Sequence, residues 1–232
     1  MIHVYCIRTD TQNVSVSDLE IQVPSFIGEL PATKRDRILH IRPPQGRVNS
    51  ALGWRLLRYA LHDCGYTDFN LSQLCFDANR KPRWPQRNCD FNLSHADTLV
   101  ACAVTATGRV GIDCEHVRPV QAAALLQRIL SPGERAPADT DAQIFFRLWT
   151  QKEAVIKAEG NGGVWHMSRV QLDDATAYYQ DTRWHLYPVV LADGYVAHVA
   201  SDTSEQCITI RAVAIEQLLS DGGTRDQVSP MV

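Results

Sequence analysis

Gly111-Ile112-Asp113-Cys114-Glu115 and Phe145-Phe146-Arg147-Leu148-Trp149-Thr150-Gln151-Lys152-Glu153-Ala154-Val155-Ile156-Lys157 decide how this chain is read. The first stretch predicts a strand, Val110 to Glu115, entered from a Thr107-Gly108 turn. Alternate side chains of a strand share a face, so Asp113 and Glu115 point together and Cys114 points away. The second predicts a helix, on which Trp149, Glu153 and Lys157 fall four residues apart along one face. Phe145, Phe146, Leu148, Trp149 and Ile156 make that helix mostly buried, and an acid and a lysine on a buried helix need partners. Two adjacent carboxylates repel unless a cation or a proton lies between them. Mg²⁺ takes oxygen ligands, keeps some of its waters and commonly bridges to phosphate. Three acids and a lysine therefore point to a divalent metal beside a phosphate-bearing substrate. Taken singly, each motif also fits a plain account: an exposed acidic strand end, and a surface Glu–Lys pair worth about 0.2–0.5 kcal/mol.

Outward from these stretches, the chain divides into strands and two long helices. Asp139-Thr140-Asp141 offers caps for a helix running to about Ala158, and Gly160-Asn161-Gly162-Gly163 ends it. In the first half, Val48, Ala51, Leu52, Arg55, Leu56, Tyr59 and Ala60 recur near a period of 3.6, predicting a helix from Arg47 to Cys64 with Gly65 just beyond it. Residues 1–8 and 19–23 read as short strands, and Thr33 as the cap of a short helix that Pro43-Pro44 ends. Residues 80–88 read as a loop, Asp90 to Leu93 and Leu99 to Thr105 as strands, and 120–130 as an amphipathic helix. Residues 164–215 alternate in the manner of strands, and the last dozen are polar and frayed. The class is α+β.

The whole chain bounds the partners. Its 232 residues allow one large domain or two small lobes, and 45% hydrophobic residues suffice for a sizeable core. A formal charge of −3 argues against nucleic acid as a partner, so an anionic ligand must be held by local Lys and Arg. No apolar run spans a membrane, and the N-terminus lacks a secretory pattern. The seven cysteines form no Cys-x-x-Cys pair, which predicts reduced thiols, a cytoplasmic protein and no zinc site. Ser94-His95 lacks the Gly-x-Ser-x-Gly elbow of a serine hydrolase and fits better as a phosphate-contacting turn. Basic residues cluster at Lys34, Arg35 and Arg37, with Arg47 further on, and at Arg80, Lys81 and Arg83. Each cluster serves equally well as a solvated face.

In order along the chain, Arg80-Lys81-Pro82, Phe91-Asn92-Leu93-Ser94-His95, Gly111-Ile112-Asp113-Cys114-Glu115 and Trp149-Thr150-Gln151-Lys152-Glu153-Ala154-Val155-Ile156-Lys157 resemble the motifs of the 4′-phosphopantetheinyl transferases. The resemblance is to the larger, single-chain type named for the surfactin-synthetase activator, and it covers about residues 34–165. It departs at Arg80, where the family often has Gly.

The resemblance implies two similar α+β lobes related by a pseudo-twofold, divided here as 1–109 and 110–220 with a tail 221–232, and coenzyme A in the cleft between them. It implies transfer of the phosphopantetheine arm of CoA to a serine of an acyl or peptidyl carrier protein. Asp113, Glu115 and Glu153 would bind Mg²⁺, or Mn²⁺ in its place. Glu153 would also act as general base, and Lys157 would neutralise or protonate the leaving group. Lys34, Arg37, Arg47, Lys81, Ser94 and His95 would line the CoA site together with Lys157. Arg118, Arg128 and Arg135 are candidates by position for docking the acidic carrier, and two matched lobes in one chain make a monomer sufficient. A non-catalytic CoA-binding module and an Mg²⁺-dependent phosphohydrolase remain the alternatives.

Overall fold

The computed structural model describes residues 1–11, 14–161, 163–204 and 206–220, so Gly162 and the tail 221–232 lie outside the described residues. The chain runs β1 (Ile2–Arg8), α1 (Val16–Ile27), α2 (Ala32–Leu39), α3 (Pro44–Asp63), β2 (Cys75–Phe76), β3 (Pro82–Arg83), β4 (Asp90–Ala96), β5 (Leu99–Thr105) and β6 (Val110–His116). It continues through α4 (Ala122–Leu126), α5 (Ala142–Glu159), β7 (Gln171–Asp173), β8 (Thr176–Tyr179), β9 (Thr182–Pro188), β10 (Tyr195–Ser201), β11 (Ile208–Ala212) and α6 (Ile215–Ser220). The class is α+β, as the sequence predicts.

One sheet has the order β11-β1-β5-β4 and a second the order β6-β10-β9-β8-β7; β2 and β3 form a small hairpin. One face of the first sheet packs on α1 and α3 through Leu19, Leu52, Leu56 and Val100. One face of the second packs on α5 through Val155, Trp184 and Ala200. The remaining faces pack against each other, with Val4 and Ala101 meeting Ile112, Cys114 and Val199. The result is four layers: helix, sheet, sheet, helix. Among the described residues no helix is long and apolar enough to cross a membrane.

Local signals explain the long helices. Pro44 opens α3 at a position that needs no N–H. At its other end Gly65 takes φ +90°, with Tyr66 N–H bonded to the Leu61 carbonyl and Gly65 N–H to that of His62, a Schellman motif. The Asp141 carboxylate accepts from Ile144 N–H at 2.8 Å to start α5, and Gly160 at φ +93° ends it.

Among the elements that differ from the sequence reading, three are helices, and the strand read as Asp90 to Leu93 runs on through Ser94 and His95 to Ala96. Residues 19–23 alternate like a strand but are helical. Ser15 and Asp18 form a capping box, and the buried set Leu19, Val23, Phe26 and Ile27 has helical spacing. The short helix begins at Ala32 after Pro31 and has no side-chain cap, so Thr33 lies inside it. The 120–130 helix shrinks to α4, because beyond Leu126 the N–H groups of Arg128 and Ile129 bond three residues back instead of four.

Candidate active site

The site forms where the second sheet meets the first. β4 is hydrogen-bonded to β5 on one side, and on the other its side chains take the place of a strand partner for β6. Val110 N–H donates to Asp90 Oδ2 at 2.8 Å, Ile112 N–H to Asn92 Oδ1 at 3.0 Å, and Cys114 N–H to Ser94 Oγ at 3.3 Å. The period-2 geometry of a strand puts Asp90, Asn92 and Ser94 on one side of β4, and three polar residue types there meet three backbone donors that burial would otherwise strand. The ladder fixes β6 and with it Asp113 and Glu115.

Helix α5 lies across β6 at close range. A β-carbon on Gly111 would land on the Ala154 carbonyl oxygen and 2.5 Å from the Ala158 nitrogen. This contact brings Glu153 and Lys157 to the acids of β6. Lys157 Nζ donates to Asp113 Oδ1 at 2.7 Å and to Ser94 Oγ at 2.9 Å, and Ser94 Oγ–H donates to the same Asp113 oxygen at 2.9 Å. Asp113 Oδ2 and Glu153 Oε2 are buried without a hydrogen-bond partner. Burial, followed by repulsion from Asp113 and Glu115 that outlasts the pull of Lys157, raises the Glu153 pKa; burial and Asp113 raise that of Glu115. Burial works against the charge of Lys157, yet Asp113 and Glu153 outweigh it and hold its pKa above the ordinary lysine value.

Such oxygens suit a hard cation: three carboxylates supply the donor type, and two of their atoms lack a partner. The group is not yet closed. Among the described residues no three His, Cys, Asp or Glu side chains already surround a point where an ion would sit. Lys157 holds one Asp113 oxygen, and Arg118 donates to Glu115 Oε2 at 3.2 Å.

Known proteins are similar to this chain in sequence. The 4′-phosphopantetheinyl transferase HetI of Nostoc sp. (strain PCC 7120 / SAG 25.82 / UTEX 2576) is 30% identical over 215 residues, 86% of this chain and 86% of its own length. This chain belongs to the 4′-phosphopantetheinyl transferase superfamily. The model of that superfamily matches residues 109–203, which include Asp113, Glu115, Glu153 and Lys157. The 4′-phosphopantetheinyl transferase AcpT of Escherichia coli (strain K12) is 33% identical over 107 residues, 43% of this chain and 54% of its own length. The 4′-phosphopantetheinyl transferase psf-1 of Bacillus pumilus is 36% identical over 119 residues, 48% and 49% of the two chains.

Within this superfamily member, the other residues picked out by sequence divide into two groups. His95 is exposed, although partial desolvation and then the charge of Lys157 lower its pKa. Lys34 lies 5.0 Å from the Trp54 ring centre and 5.7 Å from that of Phe76, a cation–π seat. Burial and then the charges of Arg37 and Arg80 lower its pKa, which places these three cations near one another. The charge of Lys34 also lowers the pKa of His95, so Lys34, Arg37 and His95 lie on one side of the molecule's basic region.

Three residues expected to meet the ligand carry protein partners here. Lys81 is buried, and its ammonium donates to Asp90 Oδ2 at 2.7 Å, the Ala158 carbonyl at 2.7 Å and the Val110 carbonyl at 3.4 Å. Three acceptors use all three protons, so Lys81 joins β4, β6 and the end of α5. Arg47 is held by Glu20 and the Ile41 carbonyl. Ser94 gives its one proton to Asp113 and accepts from Cys114 and Lys157, which leaves none for a phosphate. Of the arginines considered for docking, Arg118 reaches Glu115 and the Phe146 ring, and Arg128 and Arg135 are exposed.

Sequence reading did not assign Asp90 and Asn92, whose alternation with Ser94 was the available signal. It also did not find His198, which lies opposite Asp113 in the β6–β10 register. His198 Nδ1 lies 2.8 Å from Thr150 Oγ1, and burial, then the charge of Arg147, pushes its pKa down to about 4. Arg80 stands at φ +68°, a left-handed conformation that costs a non-glycine residue about 1–2 kcal/mol.

Proposed function

We propose that this chain transfers the 4′-phosphopantetheine arm of coenzyme A to a serine hydroxyl of an apo acyl or peptidyl carrier protein, releasing adenosine 3′,5′-bisphosphate. The enzyme is of the larger, single-chain surfactin-synthetase-activator type, a holo-carrier synthase, with lobes 1–109 and 110–220 related by a pseudo-twofold. In its favour, each half lays one long helix on a sheet, and HetI is similar over most of its length. The observation that carries the reading is the pair of unpartnered buried oxygens, Asp113 Oδ2 and Glu153 Oε2, within the reach of the Lys157 charge.

Asp113, Glu115 and Glu153 would hold Mg²⁺, and bound there the ion would act as a Lewis acid on the CoA pyrophosphate. Glu153 takes the proton of the carrier serine, directly or through a water. Its raised pKa makes it a stronger base than a solvated glutamate. The serine oxygen then bonds to the phosphorus of the phosphopantetheine arm as the bond to the adenosine bisphosphate breaks. Lys157 offsets charge on the departing phosphate. With its pKa held high it acts by charge rather than by giving up its proton. Ser94 holds Asp113 and Lys157 in place, and Lys34, Arg37 and His95 receive the 3′-phosphate. Lys81 and Arg47 act on the site only through the frame.

The test is to incubate the protein with CoA, Mg²⁺ and a panel of apo-carrier proteins and to weigh the carriers. One carrier should gain the mass of the phosphopantetheine arm, and Asp113→Ala should abolish the gain with its circular dichroism unchanged. Release of adenosine 3′,5′-bisphosphate from CoA with no carrier present would instead make the protein a hydrolase. CoA binding without either outcome would make it a binding module.

A further inference from the structure

Helix α5 is anchored on two different sides. Toward the sheet, Lys157 meets Asp113 and Ser94, and Thr150 Oγ1 lies 2.8 Å from His198 Nδ1. Lys152 points the other way and is fully buried. Its ammonium donates to Glu134 Oε2 at 2.6 Å, to the Val170 carbonyl at 2.6 Å and to the Met167 carbonyl at 3.4 Å. Three acceptors take all three protons. Glu134 is as fully engaged: Oε2 also accepts from Ser131 N–H at 2.8 Å, and Oε1 accepts from Leu172 N–H at 2.8 Å. The pair thus ties the middle of α5 to the 131–134 turn and to the chain that enters β7.

The transfer chemistry makes no use of this pair. Stability alone is a weak reason to keep it, since apolar residues of similar volume often replace a buried ion pair at no cost. Geometry supplies another reason. Side chains advance about 100° per residue around a helix, so Lys157 stands about 140° from Lys152, and Glu153 falls between them. Glu153 Oε2 has no hydrogen-bond partner, so its place depends on how α5 is turned. Phe145, Ala154 and Ile156 press the helix into the core, but apolar contact has no preferred direction. The hydrogen bonds of Lys152 and Lys157 do have one, and turning the helix lengthens them. Lys157 also faces the ligand; Lys152 is enclosed by protein alone.

We propose that Lys152 and Glu134 are a positioning pair, which fixes the rotation of α5 and so holds Glu153 toward Asp113 and Glu115 as a metal ligand. The inference rests on the reading of those three carboxylates as the metal site.

Calorimetric titration of Mn²⁺, with and without CoA, tests it in the full chain. The proteins are the wild type, Glu134→Gln, the double variant Lys152→Met/Glu134→Gln, and Ile129→Ala as a control. Ile129 is buried in the same core, two residues before Ser131, and its truncation leaves the pair in place. Urea midpoints are measured alongside. The double variant should bind Mn²⁺ about tenfold to a hundredfold more weakly, the range for losing a group that orients a metal ligand, and Glu134→Gln should lose less. Ile129→Ala should lower the urea midpoint yet keep Mn²⁺ affinity within about twofold. A merely structural pair would lower the midpoint and leave Mn²⁺ affinity where Ile129→Ala leaves it. Unchanged Mn²⁺ affinity in the pair variants, or equal weakening in Ile129→Ala, overturns the positioning role and leaves the metal reading standing. If the double variant does not fold, Glu134→Gln decides by the same criterion. A wild type that binds no Mn²⁺ in either condition overturns the metal reading and this inference with it.

Discussion

Glu153 holds a buried carboxylate oxygen with no partner, and its pKa lies above that of an ordinary glutamate. When the chain unfolds, the pKa returns to the ordinary value. The sign follows from linkage: the folded form loses nothing below the unfolded pKa, and loses stability as pH rises from there through the raised folded pKa. Glu153→Gln removes that loss. In metal-free buffer its melting temperature should equal that of the wild type at about pH 4 and exceed it at pH 8. Its transfer activity should fall by at least about 10²-fold with the base gone. A variant less stable than the wild type at pH 8 would mean that Glu153 is paired in solution. The spacing of Asp113, Glu115, Glu153 and Lys157 made their meeting legible, because strand and helix periods fix which side chains share a face. The protein partners of Lys81, Arg47 and Ser94 were not legible, for the converse reason. A sequence displays a charge or a hydroxyl, but not the Asp90, Glu20 or Asp113 that already holds it.

Among the elements, the contact of α5 on β6 decides whether the site exists. Gly111 is the point of closest approach, and a methyl group there meets the backbone of Ala154 and Ala158, which cannot swing aside as a side chain can. Gly111→Ala should therefore cost about 1–3 kcal/mol in urea unfolding, the range for overpacking, and should lose transfer activity beyond what stability explains, because Glu153 and Lys157 move with the helix. Full activity in a folded Gly111→Ala protein would mean that the helix tolerates displacement. Elements with two agreeing signals were legible. In α5 a capping aspartate, a buried stripe and Gly160 coincide, and β5 is apolar up to its final Thr105. In α1 they conflict: Leu19 to Val23 alternates with period 2, and only the capping box with Phe26 and Ile27 decides for the helix. The pairing of β6 with side chains of β4 was not legible, since no backbone pattern announces it.

At the scale of the molecule, the two sheets share buried structure that neither keeps alone. Their facing sides form one core, and β11 pairs in parallel with β1, carrying Val213, Ile215 and Leu218 back to the core of the first sheet. Lys81 bridges β4 of the first sheet to β6 and α5 of the second. Such a molecule should unfold as one unit. Tryptophans report on both sides: Trp54 and Trp84 lie in the core beside α3, and Trp184 lies in the core beside α5. Variants that keep only one set should give coincident urea transitions. Lys81→Met tests the bridge. It leaves Asp90 with Arg83 and the Val110 N–H, but removes the buried cation facing its carboxylate, a loss of about 3–5 kcal/mol when a buried pair is broken. Its urea midpoint should fall accordingly. A Lys81 that instead faced the ligand would leave the midpoint unchanged and weaken CoA binding. That result would return Lys81 to the cleft and leave the junction of the two sheets to the β4–β6 ladder and the core they share.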